Sequence, residues 1–166
     1  MKKADDIIIG GGMAFTFVKA LGGNIGKSMV EEDRIENAKK ILKEAKKIGV
    51  NIYIPVDAIL ADNFSNEANK KYSDIKNIPD GWMGLDLGEK SEKIFLDVIT
   101  KSKTILWNGP MGVFEMSSFE HGTKTIALAV ADATAKGAYS LIGGGDSVAA
   151  INKYHLADKV SYVSTG

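Results

Sequence analysis

The 166-residue sequence contains no cysteine, which excludes disulfide frameworks and thiolate metal sites and suits a reducing compartment, with the cytoplasm as the expected location. It also lacks net charge. Twenty-one Lys and Arg balance 21 Asp and Glu, so no overall field gathers nucleic acid or an anionic membrane surface. No apolar run approaches the roughly 20 residues of a membrane span. The charged start, Met1 to Asp6, leads straight into Ile7-Ile8-Ile9 without the pattern of a secretory leader. There are only two histidines, His121 and His155, and neither has an acidic or histidine neighbour at ligand spacing, so no nucleophile triad can be assembled. Nucleic-acid and membrane partners are therefore not expected, and any anion must be caught locally.

What is present is a regular alternation. Hydrophobic residues make up 45% and charged residues 25%, enough apolar surface for one packed domain of this length. Short β-branched runs ending in glycine or a polar turn alternate with longer segments of helical period, the pattern of a parallel α/β sheet. Strands are expected at residues 7–9, 51–56, 58–61, 104–107, 139–142 and 160–163. Helices are expected at about 13–21, 32–48, from Ser91 onward, from a Ser117/Glu120 capping box to Gly137, and from about Ser147 to Tyr154. Residues 63–81, rich in Asn, Asp, Ser and Lys, read as a long irregular connection. The lysines at 39, 40, 43, 46 and 47 fall on the polar side of an amphipathic helix and read as a solvated face.

Chemistry concentrates at glycine-rich turns. Gly143-Gly-Gly-Asp-Ser147 joins a strand to a helix, where glycines admit a phosphate to the backbone and the helix N-terminus favours negative charge. Asp146 there can hold magnesium on phosphate oxygens or serve as an N-cap, and the two roles are compatible. Asn108-Gly-Pro-Met-Gly-Val-Phe-Glu115 follows another strand and offers an amide and a carboxylate; Glu115 can accept hydrogen bonds from ribose hydroxyls or simply favour a helix start. Gly81-Trp-Met-Gly-Leu-Asp86 can cover an adenine or plug the core. Two better-known phosphate signatures fail. Gly26-Lys27-Ser28 has Leu21 where the first glycine of a P-loop belongs, and Lys27 reads as surface. The dinucleotide fingerprint breaks at Phe15 in one candidate and at Val148 in the other, which disfavours an NAD-dependent oxidoreductase.

Taken together and in order, Ile8-Ile-Gly-Gly-Gly-Met-Ala-Phe-Thr-Phe17, Pro55-Val-Asp57, Gly81 to Asp86, Trp107 to Glu115, Gly143 to Ser147 and Val163-Ser-Thr-Gly166 resemble the carboxyl-terminal, nucleotide-binding domain of phosphoglycerate kinase. The resemblance covers essentially the whole chain. It implies a Rossmann-like three-layer α/β/α fold with a mainly parallel sheet that binds ADP or ATP with Mg2+, in a glycolytic phosphotransferase that acts as a monomer. By position it places Gly84 and Leu85 at the adenine, Glu115 at the ribose, and Asn108 near the phosphates. Gly11, Gly12, Gly144, Gly145 and Ser147 would meet the nucleotide, and Asp146 would orient magnesium. Three positions depart from the family pattern: Glu89 replaces proline, Ser147 replaces threonine but keeps the hydroxyl, and Tyr162 replaces histidine.

The resemblance also implies that residues 1–166 form a single nucleotide-binding domain truncated at both ends. The arginine-rich 3-phosphoglycerate site of an amino-terminal domain and the catalytic lysine and arginine fall outside it. The chain alone is then expected to be inactive. A stand-alone module of the same fold that binds a nucleotide or a protein without catalysis is the competing expectation.

Overall fold

The structure, a computed structural model, describes residues 3–164. Strand β1 (Asp6–Ile8) pairs in parallel with β3 (Asn51–Tyr53), Asp6 lying opposite Asn51. Between them run helix α1 (Gly11–Ala20), the short β2 (Asn24–Ile25) and helix α2 (Ile35–Ile48). The two helices meet through Ala14, Phe17 and Ala38 with Ile41 and Leu42 alongside, so the apolar stripe read from α2 is its packing face. Helix α1 begins at Gly11 instead of Met13, because its first turn is made of the glycines themselves.

The chain then forms β4 (Asp57–Ala61), β5 (Lys70–Asp74), β6 (Asn77–Ile78) and β7 (Met83–Leu87). The order β5-β4-β7 is antiparallel, and β6 pairs in parallel with β2. The expected irregular connection over 63–81 is therefore mostly a hairpin arm. Strand β5 alternates Lys70, Tyr72 and Asp74 outward with Lys71 and Ser73 half-buried, so its period of two runs between polar residues. Such a charged edge strand resists pairing with other chains. Ile75 and Ile78 are fully buried with Phe15, Val18, Ile25, Ala58 and Leu60.

The second half contains α3 (Glu89–Lys101), β8 (Thr104–Asn108), α4 (His121–Ala135), β9 (Tyr139–Gly143), α5 (Gly145–Lys153) and β10 (Tyr162–Val163). Strands β8, β9 and β10 form a parallel sheet with β9 in the middle. The largest core lies here: Phe95, Ile99, Trp107, Ile126, Val130, Ile142 and Ile151 pack together, and Ile8 and Tyr53 of the first half lean on them. Among the described residues no backbone ladder joins β1 to β8, and Leu106 on β8 is 69% exposed.

Four of the six strand pairings are parallel, and the whole is the three-layer, Rossmann-like α/β arrangement expected. The capping expectations need correction. Ser91 lies inside α3, whose N-cap is Gly88, and Ser117 opens a short 3-10 turn (Ser117–Phe119) ahead of α4. Neither α3 nor α4 receives a hydrogen bond from the side chain of its own N-cap residue. Among the described residues no helix is long and apolar enough to cross a membrane.

Candidate functional site

Three chain turns converge at the carboxyl ends of β1, β8 and β9. Gly11, opening α1, has φ +60°, and a Cβ there would lie 2.7 Å from the Pro110 carbonyl oxygen. Gly144, before α5, has φ +82° and ψ 139°, and a Cβ on it would overlap the Asn108 amide oxygen. Both positions require glycine, for backbone conformation as well as for space. The buried Ser147 hydroxyl accepts a 2.5 Å hydrogen bond from the Gly109 N–H, fastening the start of α5 to the turn after β8. The structure thus brings Gly11, Asn108, Gly144 and Ser147 together.

Gly145 and Asp146 form the exposed first turn of α5. The cap is Gly144, so Asp146 is not the N-cap, and among the described residues its carboxylate makes no ion pair within 4 Å. No cluster of three or more His, Cys, Asp or Glu able to hold a metal occurs among the described residues. A lone exposed carboxylate at a helix start fits a magnesium ion whose other ligands are nucleotide phosphates and water, and does not fit an all-protein cage.

Gly84 and Leu85 lie on β7 and are buried. Gly84 packs against the Phe15 ring, and its N–H donates to the buried Ser28 hydroxyl at 3.0 Å. Lys27 is exposed, as expected, and Ser28 beside it serves the β7 wall instead of a phosphate loop. The Leu85 carbonyl accepts from the Val113 N–H at 2.9 Å, which seats the loop after β8 on β7. Trp82 is half-buried against the β4 core with the Lys71 ammonium 3.8 Å from its ring centroid, so this residue packs. Gly12 sits under the exposed, flexible Met29 side chain, whose sulfur would lie 2.8 Å from a Cβ there.

Glu115 is exposed at the end of the loop after β8. Just before it, the Phe114 carbonyl accepts from Lys153 Nζ at 2.6 Å, and Lys153 also pairs with Glu120 Oε2 at 2.6 Å. Tyr154 lies beside this pair. Burial, followed by the Glu120 carboxylate, pushes its phenol well above the usual tyrosine range. These groups at the end of α5 anchor the loop and were not singled out in the sequence, because each is more than 30 residues from its partner.

Sequence reading gave no role to three acids that the structure buries. Asp57, 1% exposed, accepts from the N–H groups of Lys90 and Ser91 at 2.9 and 2.8 Å, from the Tyr72 hydroxyl at 2.8 Å, and from the Ser91 hydroxyl. Burial works to raise its pKa, but these donors outweigh it and hold the carboxyl below its ordinary range. Asp86 on β7 accepts from the N–H groups of Gly122 and Leu87. Glu92 pairs with His121 Nδ1 at 2.7 Å, so that histidine is not isolated after all: its acidic neighbour comes from 29 residues away.

Comparison with known proteins agrees with the motif order. The family description for phosphoglycerate kinase matches residues 1–166. Phosphoglycerate kinase of Synechococcus sp. (strain CC9605) is 53% identical over 164 residues, covering 99% of this chain and 41% of that protein. Among solved structures, phosphoglycerate kinase from Coxiella burnetii superposes with a TM-score of 0.93 at 40% identity, covering 97% of this chain and 41% of that one. The enzyme from Pyrococcus horikoshii OT3 gives 0.80 at 28% identity, with coverage of 99% and 41%. The chain spans about two fifths of the length of these relatives. It belongs to the phosphoglycerate kinase family.

Proposed function

We propose that residues 1–166 are the carboxyl-terminal, nucleotide-binding domain of a phosphoglycerate kinase, binding ADP or ATP with Mg2+ on the surface formed by the α1, β7, β8 and α5 turns. The observation that carries this reading is the three-way closure of Gly11 on Pro110, Gly144 on Asn108, and Ser147 on Gly109. It leaves two glycine-opened helix N-termini, those of α1 and α5, beside one another, and such termini favour phosphate oxygens. In this reading Gly11, Gly12, Gly144 and Gly145 face the phosphates with Asn108 beside them, and the buried Ser147 meets the site from beneath by holding the Gly109 turn. Gly84 and Leu85 wall the adenine, and Glu115 accepts from the ribose hydroxyls. Asp146 holds magnesium on the phosphates, and the ion, when bound, neutralises their charge.

The parent enzyme would transfer a phosphoryl group from 1,3-bisphosphoglycerate to ADP, giving 3-phosphoglycerate and ATP in glycolysis. Residues 1–166 alone are expected to be inactive, since the family resemblance assigns the 3-phosphoglycerate site and the catalytic lysine and arginine to segments outside them. The match along the entire chain does not favour a stand-alone module.

Calorimetric titration with magnesium ADP tests the site. Saturable binding is expected, weakened by about tenfold or more in Asp146→Ala and in Glu115→Ala, because each change removes a charged hydrogen-bonding or ion-binding group worth ~1.5 to 3 kcal/mol. Both residues are exposed, so neither substitution should disturb the fold. Variants that bind as tightly as the parent chain would remove Asp146 and Glu115 from the site.

A further inference from the structure

Asp86 is 6% exposed, and its carboxylate lies where three elements meet. From β7 it reaches the start of α4, accepting from the Gly122 N–H at 3.0 Å and from its neighbour Leu87 at 2.9 Å. The backbone of Gly112, in the loop after β8, passes so close that a Cβ built there would overlap the carboxylate and lie 2.7 Å from the Phe119 carbonyl oxygen. One residue on, the Val113 N–H donates to the Leu85 carbonyl at 2.9 Å. One carboxylate therefore borders the strand that carries Gly84 and Leu85, the loop between Asn108 and Glu115, and the α4 start.

We propose that Asp86 is a positioning residue: its carboxylate clamps the Gly112–Val113 segment and the α4 start against β7, and so sets the width of the nucleotide site. This rests on the nucleotide-binding reading of that surface. Asp86 does not touch the ligand. It acts through Leu85 and Gly112, and Thr123 in the first turn of α4 strengthens the link by accepting from the N–H groups of Met111 and Gly112 at 3.1 and 3.0 Å.

The clamp is sensitive to protonation. Burial, opposed by the Gly122 and Leu87 N–H groups and reinforced by the Glu92 carboxylate, pushes the Asp86 carboxyl up to about 7. The other charged or titratable groups facing it are His121 on α4, which offsets part of this rise, and Tyr154 just past α5. The folded chain keeps a proton on Asp86 that an unfolded chain releases above about pH 3.9. Its contribution to stability is therefore full below that pH and declines as pH rises through about 7. Ionisation strengthens the two backbone hydrogen bonds, because charge-assisted bonds are shorter and stronger.

Amide NMR of the wild-type chain between pH 5 and 9 tests the clamp without any ligand. The Gly112, Val113 and Gly122 signals are expected to shift together with the Asp86 carboxyl carbon, in wild type and in His121→Gln, and to lose that shift in Asp86→Asn. Amides of Gly112 and Val113 that stay still in wild type, or move alike in Asp86→Asn, overturn the proposal. In parallel, the ratio of wild-type to Asp86→Asn affinity for magnesium ADP should rise by about fivefold from pH 6 to pH 8, the lower end of a typical coupling between sites. Taking the ratio cancels the ionisation of ADP itself. A ratio independent of pH overturns the positioning role. A chain that shows the joint titration but binds no magnesium ADP overturns the nucleotide reading and leaves the clamp standing.

Discussion

Asp57→Ala is expected to lower the unfolding free energy by about 4 kcal/mol in urea titrations at pH 7, a large share of the ~5 to 15 kcal/mol typical of a domain. The carboxylate gathers the two N–H groups that open α3, the Ser91 hydroxyl and the Tyr72 hydroxyl, almost wholly out of water. Removing it strands buried donors at about 1 to 3 kcal/mol each and deletes a helix cap worth about 1 kcal/mol. Asp57→Asn keeps one acceptor oxygen and should lose only about 2 kcal/mol on the same grounds. A loss below about 1 kcal/mol for alanine would show that α3 is held mainly by Phe95 and Ile99 in the core. Because the folded carboxyl lies below its ordinary range, its contribution is complete above the unfolded value near 3.9 and disappears as pH falls through the folded one. Asp57→Asn should therefore flatten the acid limb of the stability profile, opposite in sense to Asp86.

Gly144→Ala is expected to cost about 2 to 3 kcal/mol of stability and to abolish measurable magnesium ADP binding at millimolar ligand, whereas Gly143→Ala costs less than about 1 kcal/mol. The two neighbours differ in environment. A Cβ at Gly143 meets nothing within 4 Å, while one at Gly144 runs into the Asn108 side chain from a backbone conformation that L-residues rarely adopt. The Asn108 amide must swing aside, and relief of the strained backbone at residue 144 shifts the start of α5, opening the Gly109–Ser147 hydrogen bond. Thermal unfolding and calorimetry on the pair separate the two readouts. Equal behaviour of the two variants would show that the β8 and α5 turns tolerate separation.

The order of strands and helices was legible because their apolar residues recur at the right period: Ile35, Ala38, Ile41, Leu42 and Ala45 for α2, and Tyr139 to Ile142 for β9. The glycine turns were legible for a local reason too, since a strand, glycines and a helix start follow one another within a few residues. Strand β5 was not, because its alternation is between polar side chains and carries no hydrophobic signal. The caps failed differently. Ser91 and Ser117 have capping chemistry at plausible positions, but Asp57 and Asp86 bind the helix-opening N–H groups from other strands. His121 met Glu92 in the same way, through the packing of α3 beside α4, and sequence spacing does not encode that packing.

Those remote caps bear on the order in which the chain folds. The contacts span 34 residues for Asp57 and Ser91 and 36 for Asp86 and Gly122. A helix whose first N–H groups await a partner so far along the chain gains little by nucleating early, since the first turn alone is unfavourable. The β4–β7 pair carries both acids, so closing that antiparallel pair supplies both caps together. Docking of α3 and α4 is then coupled to the pairing of two strands, and their ends should fray together whenever that pairing opens.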